Sequence, residues 1–248
     1  RSAWAVLNGE LATANASFRH VFVHELGHLL GLDHSQGLPE NFAQNTQACP
    51  GGSPCGLLVP LMHPIRPTRA PEGPIEDDVA WISWIYPESD FSQTTGAITG
   101  RVLRRSGAPL QGANVVAVSA IPNGDGTYSQ SRAGVISVVS DFLMRDTGEF
   151  LLPGIEPGDY FVFAEPINPG FTGGSGVGPF EFRPTNFPRD YHDVGESADE
   201  DPTEKTLVHV EAGQTAMGVE IIANEPANQL GLLGDDDEML FQFSAPST

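Results

Sequence analysis

The run His24-Glu25-Leu26-Gly27-His28-Leu29-Leu30-Gly31-Leu32-Asp33-His34 limits the ways this chain can fold more than any other stretch. Histidines four residues apart leave the same face of a helix, about one turn from each other. Gly31, three residues past His28, is where such a helix can end in a left-handed residue and let the chain turn sharply. His34 can then return from the far side. Three imidazoles with one open position are the donor set of a catalytic zinc site, whereas four closed ligands make a structural one. Glu25, beside His24, is placed to act as a general base on water. A core helix with buried histidines is the plain alternative, but it explains neither Glu25 nor the glycine-then-histidine exit. His20 falls on the same face one turn earlier and reads as a packed neighbour, since a fourth ligand there would close the site.

The surrounding pattern supports a helix. Phe18, Val21, Phe22, Leu26 and Leu29 recur at helical spacing, and Ser17 can cap a helix running from about Phe18 to Leu30. Before it, residues 3–8 read as a short strand ending in the Asn8-Gly9 turn. Residues 35–60 read as a loop rich in Gly, Pro, Asn and Gln, and residues 65–75 as irregular. Glu76-Asp77-Asp78 place acids at the positive end of a second helix. It continues through Val79, Ile82 and Ile85 to Tyr86, and Pro87 stops it.

From Thr95 the texture changes. Short β-like runs at 97–103, 113–120, 134–142, 148–152, 159–165, 206–211 and 217–223 alternate with Gly/Pro turns, the pattern of a β-sandwich. Residues 166–205 read as a long insertion, Gly/Pro-rich and then acidic, and 225–248 as an acidic tail or linker. Asn123-Gly124-Asp125-Gly126-Thr127 reads as a hairpin turn; a calcium loop is the alternative, but its oxygens are few and a terminal bidentate glutamate is missing. The expected class is therefore multidomain α+β: residues 1–88, a linker at 89–95, an all-β sandwich over 96–224 and the tail.

Composition narrows the function. The formal net charge is −20, of which residues 1–88 carry −5 and the rest −15. Nucleic-acid phosphate would be repelled, so no nucleic-acid partner is expected. No stretch is long and apolar enough to span a membrane. The two cysteines, Cys49 and Cys55, flank a turn-rich loop; a local disulfide in an oxidising compartment and two unrelated free thiols are both open.

The zinc stretch resembles the metzincin family of metallopeptidases and is most similar to its matrixin branch, through His24, Glu25, His28, Gly31, His34 and Ser35. Leu61-Met62-His63-Pro64 resembles the Met-turn, whose methionine packs beneath the metal. Asp77-Asp78-Val79 leading to Ile85-Tyr86-Pro87 resembles the closing helix of matrixin catalytic domains, and Ala5-Val6-Leu7-Asn8 resembles the edge strand before the active-site helix. Two features depart from the family. Met62 follows His34 by 28 positions, farther than in a compact matrixin, and the extra length holds the Cys49/Cys55 loop. Most of the family's N-terminal sheet has no counterpart, and with it any structural calcium or second zinc; the chain, which opens at Arg1, is expected to be a piece of a longer parent, weak or inactive by itself. His63 stands where matrixins often have tyrosine and reads as a turn residue, with contact to substrate or water as the alternative.

Residues 96–165 resemble a carboxypeptidase regulatory-like domain, a transthyretin-like β-sandwich. The matching pieces are Gly96-Ala97-Ile98-Thr99-Gly100-Arg101-Val102, Pro109-Leu110-Gln111-Gly112-Ala113-Asn114-Val115, Asp146-Thr147-Gly148-Glu149-Phe150 and Leu152-Pro153-Gly154-Ile155-Glu156-Pro157-Gly158-Asp159-Tyr160. Glu211-Ala212-Gly213-Gln214-Thr215 and Val219-Glu220-Ile221 resemble its last turn and strand. The His-x-x-Glu zinc pattern of carboxypeptidases does not occur.

The resemblances imply a secreted or cell-surface zinc metalloendopeptidase. Its substrate would be protein or peptide, with Zn2+ on His24, His28 and His34, Glu25 as general base, Met62 as support and a sandwich as accessory. The alternative is a non-catalytic surface or adhesion protein with a relic peptidase segment. Oligomeric state and cleavage specificity are not legible.

Overall fold

A computed structural model of the chain describes residues 16–50, 52–140, 147–167, 187–196 and 203–224. The expected strand at 3–8 and the tail at 225–248 lie outside these residues, as does most of the 166–205 insertion.

The front of the chain is helical. Helix α1 covers Ala16–Leu29. It is already formed at Ala16, so Ser17 lies within it rather than capping it. Its end forms as the glycine suggests. Gly31 takes φ 98°, its N–H reaches His28 O and the Leu32 N–H reaches Gly27 O, the paired bonds of a Schellman stop. The stretch 35–60 is not all loop. A short helix α2, Pro39–Ala43, begins with proline at its first turn, and a 3-10 turn spans Cys55–Leu58. Cys49 and Cys55 are joined as a disulfide. Helix α3, Glu76–Ile85, carries three acids in its first turn and ends at Tyr86, as the sequence indicates. Tyr86 Oη donates to Leu30 O, tying the ends of α1 and α3 together. The expected linker holds a further short helix, α4, Phe91–Thr94.

Two sheets follow. β1 (Gly96–Arg104) lies between β5 (Glu149–Ile155), antiparallel to it, and β9 (Thr215–Ala223), parallel to it. The second sheet is centred on β2 (Ala113–Pro122) and β6 (Gly158–Pro166), which are paired antiparallel. The short strands β3 (Tyr128–Gln130) and β4 (Ile136–Val139) add to β2. β7 (Asp190–Tyr191) and β8 (Val208–Val210) add to β6. Each of the seven β-like runs in the sequence holds a strand. β3 and β7 were not anticipated, and β7 with Arg189 shows that part of the supposed insertion belongs to the sheet.

β2 and β6 are buried on both faces. Val115, Ala117, Val162 and Ala164 face the three-stranded sheet, packing with Ile98, Val102, Leu152 and Ile221. Val116, Val118, Phe161 and Phe163 turn the other way and pack with Leu38 from the front segment. This explains why Val115–Val118 reads as an unbroken apolar run rather than an alternating one. Arg189 and Lys205 lie over the rings of Phe163 and Phe161 at 4.1 and 4.7 Å. Arg189 also bridges Glu165 of β6 and Glu40 of α2, each at 2.6 Å. On the other side of the junction Ala80 of α3 joins the sandwich core, and Trp81 Nε1 donates to Ser137 O at 3.0 Å.

Asn123 to Thr127 forms the β2–β3 hairpin turn. Asp125 Oδ1 accepts the Thr127 N–H and hydroxyl, and Asn123 bonds Thr127 and Ser129. Asn123 Oδ1, Asp125 Oδ1 and Thr127 Oγ1 are used by the turn itself, in accord with the turn reading.

Candidate metal centre

α1 presents His24 and His28 on one face, and the Schellman turn at Gly31 carries the chain back so that His34 meets them. One ring nitrogen from each of the three lies within 4.8 Å of the others. His28 Nε2 and His34 Nε2 are 3.2 Å apart. The rings of His24 and His28 and of His28 and His34 meet edge-on, at centroid distances of 4.8 and 4.7 Å. A tetrahedral zinc with bonds of about 2.0–2.1 Å holds its nitrogens about 3.3 Å apart, so this spacing fits a single ion. All three residues are half-buried, which leaves one side open.

The opposite ring nitrogens of the first two are occupied by backbone. His24 Nδ1 lies 2.7 Å from Leu61 O, and His28 Nδ1 lies 2.9 Å from Leu32 O. A carbonyl can only accept, so both Nδ1 atoms carry the proton and both Nε2 lone pairs face inward. Fixing a tautomer through the far nitrogen is how proteins aim imidazole at metals. Burial holds the His24 imidazole below its ordinary pKa, partly offset by its bond to Leu61 O, so it is neutral and able to ligate near pH 7.

The turn below the site is built by one carboxylate. Asp78, in the first turn of α3, accepts the N–H of Leu61 at 2.8 Å, of Met62 at 2.9 Å and of Ile75 at 2.9 Å. Burial pushes its pKa up while these three bonds pull it back. The clamped turn aims Leu61 O at His24 and brings Met62, 1% exposed, beneath α1. Ser35, directly after the third histidine, donates its N–H to Met62 O at 3.0 Å.

Glu25 is exposed beside His24 and stands outside the converging nitrogen set. His20 is buried, with Nδ1 2.9 Å from Pro71 O, and its ring centroid is 6.4 Å from that of His24. It is packed and is not among the converging nitrogens. His63 is buried in the turn, 2.6 Å from Ile65 O and stacked on Phe42 at 4.5 Å, and burial lowers its pKa to about 4. It serves the turn.

Sequence reasoning missed Asp77 and Ser137. Asp77 is fully buried, and burial followed by the neighbouring Asp78 raises its pKa to about 7. It accepts the hydroxyl of Ser35 and, at 2.6 Å, the N–H of Ser137 from β4. The Asp77-Asp78 pair was visible as a helix start; nothing in the sequence pairs either with a residue sixty positions later. A cavity of about 190 Å³ beside His34 is lined by Asp77, Trp81, Trp84 and Ser137 among others.

No protein-family model and no curated protein matches the chain. Among solved structures, part of it is similar to the Bacillus anthracis TIE protein, with 15% identity over 53% of this chain and 17% of that one, at a TM-score of 0.28. Part is similar to the group B streptococcus pilus 2b backbone protein, with 14% identity over 55% of this chain and 43% of that one, at a TM-score of 0.27. The chain thus spans less than half the length of either. Likeness at this level leaves the geometry of the site as the ground for a functional reading.

Proposed function

We propose that the chain carries the zinc-binding centre of a metalloendopeptidase of the metzincin type. The observation that carries the proposal is the convergence of three imidazole nitrogens, the first two with their opposite ring nitrogens held by carbonyls, and with an exposed glutamate beside the first. Bound there, zinc would polarise a scissile carbonyl and lower the pKa of water to about 7. His24, His28 and His34 hold the ion. Glu25 takes the proton of the attacking water and delivers it to the departing amine. Met62 and Asp78 support the ligands from below. The reading places the protein outside the cell, where the Cys49–Cys55 disulfide persists. Among the described residues no helix is long and apolar enough to cross a membrane.

The deciding experiment combines metal analysis with casein hydrolysis. One zinc per chain is expected, lost in His34→Ala. Glu25→Ala should keep the zinc and lose hydrolysis by about two to four orders of magnitude. Full zinc retention in His34→Ala would remove the proposed centre, and unchanged turnover in Glu25→Ala would remove Glu25 from the chemistry.

A further inference from the structure

β4 delivers a buried hydroxyl to the segment that leaves the third histidine. Ser137 is 1% exposed. Its Oγ accepts the Gly37 N–H at 2.9 Å and lies 2.9 Å from Ser35 Oγ. Ser35 in turn donates its hydroxyl to Asp77. An ionised carboxylate accepts only, and each hydroxyl has one proton to give. Ser137 Oγ thus accepts the Gly37 N–H and faces two acceptors for its own proton, Ser35 Oγ at 2.9 Å and Asp77 Oδ2 at 3.5 Å, while Ser35 O–H goes to Asp77. Ser137 also fixes Asp77 through its own N–H, at 2.6 Å. Asn114 of β2 closes the same junction by donating to Gly37 O at 3.1 Å.

Residues 35–37 are the first three after His34. They have one face on the Met62 turn, through Ser35 N–H, and the other on the sandwich. We infer that the sandwich is a working part of the metal centre: Ser137 holds residues 35–37, and through them His34, where its nitrogen can meet those of His24 and His28. This rests on the zinc-centre reading above. Ser137 touches neither metal nor substrate and is a positioning residue. The sandwich is thereby more than the accessory its sequence suggests.

The test is a zinc competition titration of the full chain, paired with the visible absorption of its cobalt-substituted form. Ser137→Ala should weaken zinc about tenfold, the lower range for loss of an outer hydrogen-bond partner, and should alter the cobalt bands, which report ligand geometry. Ile136→Val, one residue earlier and packed into the sandwich core, should lower the unfolding midpoint while leaving zinc affinity and the cobalt bands unchanged. Ser35→Ala breaks the same chain from the front, so Ser35→Ala/Ser137→Ala should lose less affinity than the two singles summed. Zinc affinity in Ser137→Ala within twofold of wild type, or additive losses in the pair, overturns the inference while leaving the centre standing. If Ser137→Ala does not fold, Ser35→Ala alone decides by the same twofold criterion. A wild-type chain that takes up no zinc removes both readings together.

Discussion

The sulfur of Met62 occupies the space where a side chain on residue 27 would begin. A Cβ placed on Gly27 would lie 2.3 Å from Met62 Sδ and 3.1 Å from its Cε. Glycine inside a helix costs roughly 0.8–1.0 kcal/mol against alanine, and here it makes room for the turn below. Gly27→Ala is expected to destabilise the protein by about 1–3 kcal/mol through overpacking, in spite of the better helix former. Met62→Ala in the same chain should make the double change less costly than the two singles summed. Urea unfolding midpoints check this; a Gly27→Ala chain as stable as wild type would show that the contact is loose.

Asp78 serves three N–H donors with one carboxylate. Asparagine keeps one acceptor oxygen and turns an amide NH2 toward groups that can only donate. Asp78→Asn should therefore cost about 3 kcal/mol, the scale of a charge-assisted hydrogen bond lost with its buried donors left unpaired. Because Leu61 O orients His24, zinc affinity should fall as well. Chemical denaturation and zinc titration on one preparation read both effects, and losing neither would sink the clamp.

Asp77 sets the sign of a pH dependence. Its carboxyl is raised from 3.8 to about 7 in the fold, so between those values the folded chain binds more protons than the unfolded one. The Asp77 contribution to stability should accordingly be full below about pH 3.8 and decline as pH rises from there to about 7. Asp77→Asn preserves shape and can still accept the Ser137 N–H while donating to Ser35. It should flatten this part of the stability profile. A slope in the mutant equal to that of wild type would assign the effect elsewhere.

The Cys49–Cys55 bridge closes a short loop, separated by 6 positions. Loop-closure entropy for that length gives about 2 kcal/mol. Cys49→Ser/Cys55→Ser should lower stability by that order. The zinc ligands lie on other elements, so metal affinity is expected to stay within twofold; a collapse of zinc binding would mean that the loop shapes the centre directly.

Much of this is legible in the amino-acid sequence. His24, His28 and His34 announced themselves because the spacing of the first two and the glycine after them are local geometry, and local geometry is what sequence encodes most openly. The seven strand-bearing runs were visible through their β-branched residues and the turns between them. β3 and β7 were not, since Tyr128-Ser129-Gln130 and Asp190-Tyr191 are short and polar, and pairing with β2 and β6 supplies what their propensity lacks. The junction between the halves was wholly hidden. Ser137 looks like any small polar residue in a strand, and its meeting with Asp77 and Ser35 depends on how α3 lies against β4.

Val116, Val118, Phe161 and Phe163 point away from the sandwich interior and depend in part on Leu38 for cover. A cut anywhere between the helical part and the strands would leave an oily patch open to water, the kind of surface that drives self-association. Neither piece is a bead that evolution or a cloning experiment could restring beside a foreign neighbour. They must be made and degraded as one body.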